Sequence, residues 1–414
     1  MKFAELCDTI DRLGLRLPVS GSGRNGKILN RDLEQVIAEH YAAPHMSSPA
    51  FRMRHELNEV QLAARYDDLT KAQQEELFQD HNAWIMEEKY DGCRMTLCYT
   101  PSEGFRAFGR NRSKRTLLPV DYTSKLLLNV DGHFQTLDAY AGVFSNSFIL
   151  DCEVTTEGSI ELPDGRFSSS KLNTVVALLQ LNEEDSRHWQ RTDAPLKVLA
   201  FDCVLWRAGA LRTDWPFQYR RKWLEMLKVP GIELSKVYDT DKRQRLDMWL
   251  NAGKEGAIFK HLNASYTPGL SDYRDKGACV KVKRTIMQQN AADIDAYIIG
   301  YTRGDEFDKQ GLIAGIKLGV NLKREDGTIE EDYWIATVSG MPLSVRQAMS
   351  EVVGGEPMLR QHFYNAVLVV DGQDISGRNR RISHARVDWD RGFRSDKSAY
   401  ECCLLESFID SQIF

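Results

Sequence analysis

The stretch Glu87-Glu88-Lys89-Tyr90-Asp91-Gly92-Cys93-Arg94 decides how this chain is read. A lysine acts as a nucleophile only after losing its proton, and a free lysine has a pKa of about 10.4. Desolvation and neighbouring cations lower that value. Asp91-Gly92 supplies a tight turn directly after Lys89, and Arg94 is placed to reach the sugar or phosphate of a bound nucleotide. Taken alone, the same residues also read as a charged hairpin turn. The strands that follow decide between the two.

Leu150-Asp151-Cys152-Glu153-Val154 puts Asp151 and Glu153 at i and i+2, on one face of a strand. Carboxylates so placed suit ribose hydroxyls or a divalent metal. A solvated strand edge is the plainer reading, but the apolar flanks Phe148-Ile149-Leu150 and Val154 make this strand internal. Phe201 opens Phe-Asp-Cys-Val-Leu-Trp; an aromatic face stacks on a purine for about 1–3 kcal/mol, or simply fills a core. In Lys254-Glu255-Gly256-Ala257-Ile258-Phe259-Lys260, Gly256 permits close backbone approach, Glu255 can bind metal and Lys260 can meet a phosphate. Ala278-Cys279-Val280-Lys281-Val282-Lys283 sets Lys281 and Lys283 on one side of a strand. Two buried lysines are costly unless an anion meets them; a surface strand is the alternative.

In this order the segments resemble the motifs of the covalent nucleotidyltransferase superfamily: DNA ligases, RNA ligases and mRNA capping guanylyltransferases. Lys89-Tyr-Asp-Gly-Cys-Arg94 is similar to its first motif, and Phe108-Gly-Arg110-Asn to its arginine motif. Leu150-Asp-Cys-Glu153-Val resembles the third, Phe201-Asp202 the aromatic motif, Glu255-Gly-Ala-Ile-Phe-Lys260 the fourth and Lys281-Val-Lys283 the fifth. Compact bacteriophage and bacterial ATP-dependent DNA ligases fit best, because Glu87 matches their adenine-side glutamate. The tail Arg381 to Lys397 resembles their sixth motif without its usual Arg-x-Pro-x-Phe core, so Arg391, Arg394 and Lys397 all stand as candidates for it.

The resemblance implies an α+β fold: an ATP-grasp-like nucleotidyltransferase (adenylation) domain, a C-terminal OB-fold β-barrel and a small helical N-terminal module. It implies that Lys89 carries AMP and that ATP and Mg²⁺ are required. Glu153 and Glu255 would hold the metal. Glu87 and Phe201 would bind adenine, Lys281 and Lys283 the α-phosphate side. Arg94 and Arg110 would hold ribose or the nick phosphate, with Lys260 on the substrate side. The implied partner is nicked duplex DNA, sealed in replication, repair or recombination. RNA ligase is the alternative within the superfamily. A capping enzyme would take GTP, and a binding protein with a dead transferase core would form no lysyl-AMP.

The rest of the chain sets the organisation. Length (414 residues) exceeds what one core usually serves. Residues 1–50 read as a helical module, Phe3 to Leu15 and Arg31 to Ala42 around a glycine-rich basic loop, loosely similar to the SAP-type DNA-binding motif. Residues 51–288 are assigned to the transferase domain, with helices at 55–80, 170–182 and 216–228. Residues 289–414 are assigned to the OB domain, with a helix in Ser-Val-Arg-Gln-Ala-Met-Ser-Glu-Val-Val-Gly, after a boundary near 285–293.

Net charge is −5, yet residues 12–31 and 375–387 hold basic side chains and no acid, so distribution favours a polyanion where the sum does not. Eight scattered cysteines without Cys-x-x-Cys pairing read as free thiols, mostly buried, in a reducing compartment, and support no zinc site. No apolar run spans a bilayer and the first residues do not read as a signal peptide. The expectation is a soluble cytoplasmic monomer with no membrane partner, in a bacterium or a virus-infected host cell.

Overall fold

The computed structural model describes residues 3–18, 20, 22, 27–113, 115–160, 171–270, 278–283, 294–372, 375, 376, 379–389 and 391–411. Arg24, Arg378, most of the glycine-rich loop and the expected boundary at 285–293 lie outside the described residues. Contacts divide the chain into two units: Met1–Asp247 with Gly256–Val282, and Met248–Glu255 with Lys283–Phe414.

The first unit carries two main sheets. The larger orders its strands Ala210–Leu211, Leu196–Arg207, Phe148–Thr156, Cys93–Thr100, Gly104–Arg112 and Pro119–Asp121, with Ile232–Leu234 beside Leu196–Arg207. Its long strands are antiparallel. Met95, Leu97, Tyr99, Leu150, Cys152 and Val154 bury one face, covered by Val175, Leu178 and Leu179 of helix Lys171–Gln180. Cys98, Phe108, Ile149 and Val204 bury the other face against helix Pro49–Leu57. A strand covered on both sides reads as a continuous apolar run, which is why Phe148-Ile149-Leu150 shows no alternation. The second sheet orders Val237–Tyr238, Trp84–Glu88, Gly256–His261, Cys279–Lys283 and Ala64–Arg65.

The expected helix over 55–80 is broken. Helix Pro49–Leu57 ends because Asn58 takes a positive φ of 57° at its cap, a conformation asparagine tolerates better than most residues. Short strands Gln61–Leu62 and Ala64–Arg65 follow, and a helix resumes at Lys71–Gln79 behind the N-cap Thr70. The N-terminal helices Phe3–Arg12 and Asn30–Ala42 share the small core Leu6, Ile10, Leu33 and Ile37. Contacts do not set residues 1–50 apart, however. Ala38 and Ala42 join Ala50, Phe51, Cys98 and Phe108 in one cluster, so the second helix is packed into the body of the unit.

Lys242 anchors the strand that leads to Lys89. It is 1% exposed, and its Nζ donates to the carbonyls of Asp80 (3.0 Å) and Trp84 (2.9 Å). Burial lowers its pKa from 10.5 to about 8. The neutral amine still has two N–H groups, one for each carbonyl. Between these two values the unfolded chain binds more protons than the folded one, so stability rises with pH across that window. Lys242→Met is expected to lack this rise; denaturant titrations at both ends of the window measure it.

In the second unit, Ile294–Thr302, Gly315–Lys323 and Ile329–Val338 form an antiparallel meander. Val367–Asp371 returns to pair with the first of these, and Arg386–Val387 pairs with it in turn. The Ile382 N–H donates to the Ile335 carbonyl at 2.8 Å and joins the last segment to the third strand. Ile298, Ile316, Leu318, Ile335, Leu368 and Val370 fill the interior. This is the OB-type barrel expected. The helix after the third strand is shorter than expected, Leu343–Met349, because Ser350–Val353 pairs with Glu356–Leu359 through a Gly354-Gly355 turn with φ of 61° and 87°.

Candidate active site

Lys89 follows directly on strand Trp84–Glu88, and its backbone N–H donates to the Gly256 carbonyl at 2.9 Å. Gly256 holds φ 141°, a region that side chains rarely enter, so the glycine of the fourth motif brings that strand's backbone to the first motif. The turn is pinned from the other sheet, since Thr155 Oγ1 donates to the Asp91 carbonyl at 2.7 Å. At Gly92 a Cβ would meet the Val154 carbonyl oxygen at 2.4 Å and Glu153 Cγ at 3.1 Å. Gly92 is therefore needed for close approach rather than for a turn angle. Gly92→Ala must push the Lys89 turn off the strand. Overpacking of this kind costs about 1–3 kcal/mol. Gly92→Ala is expected to lose stability of that order, read by calorimetry.

Arg94 lies across from Glu153 in the sheet register, but its guanidinium turns to Asp151: Nε to Oδ1 at 2.8 Å and Nη2 to Oδ2 at 2.5 Å. Tyr266 donates its hydroxyl to the same carboxylate at 2.6 Å. Burial works against the charge on Arg94, yet Asp151 raises its pKa above the usual arginine value. Asp151 is thus the ionic partner of Arg94 and is 1% exposed. Glu153 is half-buried on the same strand. Burial first, and the Glu153 carboxylate second, push the neighbouring Cys93 thiol up to about 11, with Arg110 opposing.

Phe201 occupies the extra position of a register shift. Ala200 pairs with Cys152 and Asp202 with Asp151, leaving Phe201 unmatched between them. Such bulges re-aim a side chain. The Arg94 guanidinium lies 5.2 Å and the Lys260 ammonium 4.7 Å from its ring centroid. Next to it, Asp202 takes Arg220 in a two-bond grip of 2.8 and 2.9 Å, both side chains at most 3% exposed.

Lys260 is 6% exposed, and its Nζ lies 2.8 Å from Glu87 Oε2 and donates to the Phe201 carbonyl at 2.7 Å. An ammonium so engaged ties the two sheets together. Glu87, 2% exposed, also accepts from Ser235 Oγ at 3.0 Å and from Arg221 Nη1 at 3.5 Å. Ser235, Arg221, Arg220 and Tyr266 carry no pattern that marks them in sequence. They are recruited by helix Phe217–Leu227 and by loops, so only the fold brings them in.

Arg110 is exposed within an irregular pairing between Phe108 and Arg112. Behind it, the fully buried Arg54 donates to the carbonyls of Asn58 (3.0 Å) and Gly109 (3.5 Å). Lys281 is half-buried between the buried Val280 and Val282, and in register with Arg65. In the second unit Lys283 meets Glu255 at 3.4 Å. There too, Arg394 and Lys397 converge on Asp295, Arg394 at 3.1 Å, and Arg394 also grips Asp396 with two bonds of 2.7 Å; Arg391 is exposed. Among the described residues no three His, Cys, Asp or Glu side chains gather as a metal site, no helix is long and apolar enough to cross a membrane, and the eight cysteines are free, with Cys403 exposed.

Known proteins resemble this chain in sequence and in fold. The chain is 28% identical over 244 residues to DNA ligase 4 of Candida glabrata, covering 56% of this chain and 23% of that protein. It is 25% identical over 251 residues to a probable DNA ligase of Dictyoglomus thermophilum, covering 52% and 41%. The chain thus spans less than half the length of both relatives. A solved structure named Pmar-Lig_PreS3 shares the fold, with a TM-score of 0.50 and 12% identity over 89% of this chain and 73% of its own. The family model for the ATP dependent DNA ligase domain matches residues 60–283, more than half of the chain. The chain belongs to the ATP-dependent DNA ligase domain family.

Proposed function

We propose that the protein seals nicks in duplex DNA at the expense of ATP, through AMP carried on Lys89. The observation that carries this reading is the Lys89 turn, held on one side by the Gly256 carbonyl and on the other by Thr155 and the close approach at Gly92. In the first step the neutral Nζ of Lys89 attacks the α-phosphorus of ATP. A P–N bond forms, the bond from the α-phosphorus to the bridging oxygen breaks, pyrophosphate leaves, and the amine's proton goes to solvent. In the second, a 5′-phosphate oxygen at the nick bonds to the AMP phosphorus, the P–N bond breaks, and the released lysine takes up a proton. In the third, the 3′-hydroxyl displaces AMP, and its proton goes to solvent. The protein's part is to position groups and neutralise charge.

The chain's residues take these roles. Phe201, re-aimed by its bulge, stacks on adenine, and Glu87 is the acceptor beside it. Lys281 and Lys283 meet the phosphate of the bound nucleotide. Arg94, kept charged by Asp151, and the exposed Arg110 face ribose or the nick phosphate. Glu153 is proposed as a carboxylate ligand of Mg²⁺, and so is Glu255. A single carboxylate completed by phosphate oxygens and water suits this ion, so Glu153 fits without a three-residue cluster. When bound it would neutralise phosphate charge and favour the deprotonated lysine. In the second unit, Arg394 and Lys397, gathered on Asp295, are the sixth-motif candidates for pyrophosphate, ahead of Arg391. The SAP-like module of residues 1–50, through the basic side chains of residues 12–31, is proposed to add phosphate contacts to the duplex.

The test offers the full chain α-labelled ATP or GTP with Mg²⁺, then a nicked duplex with all-DNA or RNA-containing strands. Covalent label from ATP and sealing of the all-DNA nick are expected. Label from GTP alone, or sealing only where RNA lies at the nick, would overturn the reading in favour of a capping enzyme or an RNA ligase.

A further inference from the structure

Among the described arginines of the second unit, Arg303, Arg324, Arg380, Arg386 and Arg394 pair with carboxylates. Of the described arginines in the acid-free segment 375–387, Arg380 pairs with Asp410 at 2.7 Å and Arg386 with Asp371 at 3.3 Å. Arg381 differs. Its guanidinium lies 3.3 Å from the ring centroid of Trp334, and its Nε is buried without a hydrogen-bond partner. Lys317, from the neighbouring strand, sets its ammonium 4.5 Å from the same centroid. Among the described residues neither cation meets a carboxylate.

The ring they share is fixed. Trp334 Nε1 donates to the Ala336 carbonyl at 2.9 Å and to Thr337 Oγ1 at 3.1 Å. The Arg381 backbone is fixed as well, through Ser376 N–H to the Arg381 carbonyl and Ile382 N–H to Ile335, both at 2.8 Å. Lys317 stands in register with Gly300 on one side and Thr337 on the other. All three side chains are half-exposed on the barrel, whose interior is filled by their neighbours Ile316, Ile335 and Ile382. Two like charges held on one rigid aromatic repel each other, and an anion removes that cost. A stacked guanidinium also keeps edge N–H donors in a plane that suits phosphate oxygens.

We propose that Lys317, Trp334 and Arg381 form a phosphate-binding site for the backbone of duplex DNA, with Trp334 as the spacer that fixes the two cations. The site rests on the nick-sealing reading and serves the hold on DNA, not the loading of Lys89.

The experiment measures affinity of the full chain for a nicked duplex across a salt series, alongside covalent labelling by ATP. Each neutralised phosphate contributes about 0.9 to the slope of log K against log salt. Arg381→Gln and Lys317→Gln are each expected to lower the slope by about one contact, and the double variant by about two, with labelling unchanged. Arg381→Lys is expected to keep the slope. Trp334→Leu is expected to keep most of the slope but bind more weakly, because the charges are present and no longer fixed. A double variant with wild-type slope and affinity would overturn the site, and Trp334→Leu with wild-type affinity would overturn the spacer. Thermal melts separate either result from unfolding. Wild-type protein that neither takes label nor binds the duplex sinks the nick-sealing reading instead.

Discussion

Lys89→Ala protein is expected to retain no covalent label from α-labelled ATP, while melting like the wild type. The backbone bond from Lys89 to Gly256 does not depend on the side chain, so the turn stays in place without the amine. Lys89→Arg is expected to fail as completely, because a guanidinium keeps its proton under any condition in which the protein is folded. The pair separates nucleophile from mere cation: if positive charge near a phosphate were the need, arginine would rescue. Sealing of a nick whose 5′-phosphate already carries AMP bypasses the first step, and both variants are expected to retain part of it. Label surviving in Lys89→Ala would remove the assignment and leave the site as a nucleotide pocket only.

The second large effect is on stability. Asp202 and Arg220 lie almost without solvent, joined by two hydrogen bonds, and Arg220 also donates to the carbonyls of Ala264 (3.0 Å) and Trp215. Burial opposes the charge on Asp202, yet Arg220 keeps its pKa below the usual carboxylate value. Removing one partner of such a pair leaves an uncompensated buried charge, at a cost of about 3–5 kcal/mol. Asp202→Ala is expected to lose stability of that order in denaturant titration. Asp202→Ala with Arg220→Met is expected to recover part of it, because no orphan charge remains. A single variant within about 1 kcal/mol of wild type would show the site to be wetter than the geometry implies. The same pair ties strand Leu196–Arg207 to helix Phe217–Leu227, so the placement of Phe201 depends on it.

The motif residues on strands were legible because a strand's period of two is short and local. Lys281 and Lys283 flank buried valines as the alternation requires. Asp151 was legible as a buried acid, but its partner was not: spacing put it beside Glu153, while the fold brought Arg94 and Tyr266 to it. The partners of Lys260 were hidden for the same reason. Its pattern gave a lysine at the end of an apolar strand, and nothing local could announce Glu87 on the neighbouring strand or the Phe201 carbonyl of the other sheet. The bulge at Phe201 comes from a mismatch of two strands and has no signature in either. The break after Leu57 lay in one asparagine at positive φ, hidden inside a periodic apolar pattern.

The Lys260 ammonium has a consequence for how the family can change. It answers Glu87, whose remaining partners are a hydroxyl and a guanidinium at 3.5 Å. Loss of Glu87 strands the Lys260 ammonium in a dry interior, and loss of Lys260 leaves Glu87 only the longer Arg221 contact, so positions 87 and 260 are expected to vary together among related chains. A laboratory library that randomises one of them at a time would recover almost nothing, whereas paired exchange to two neutral side chains opens a route to altered nucleobase preference without first crossing an unfolded intermediate.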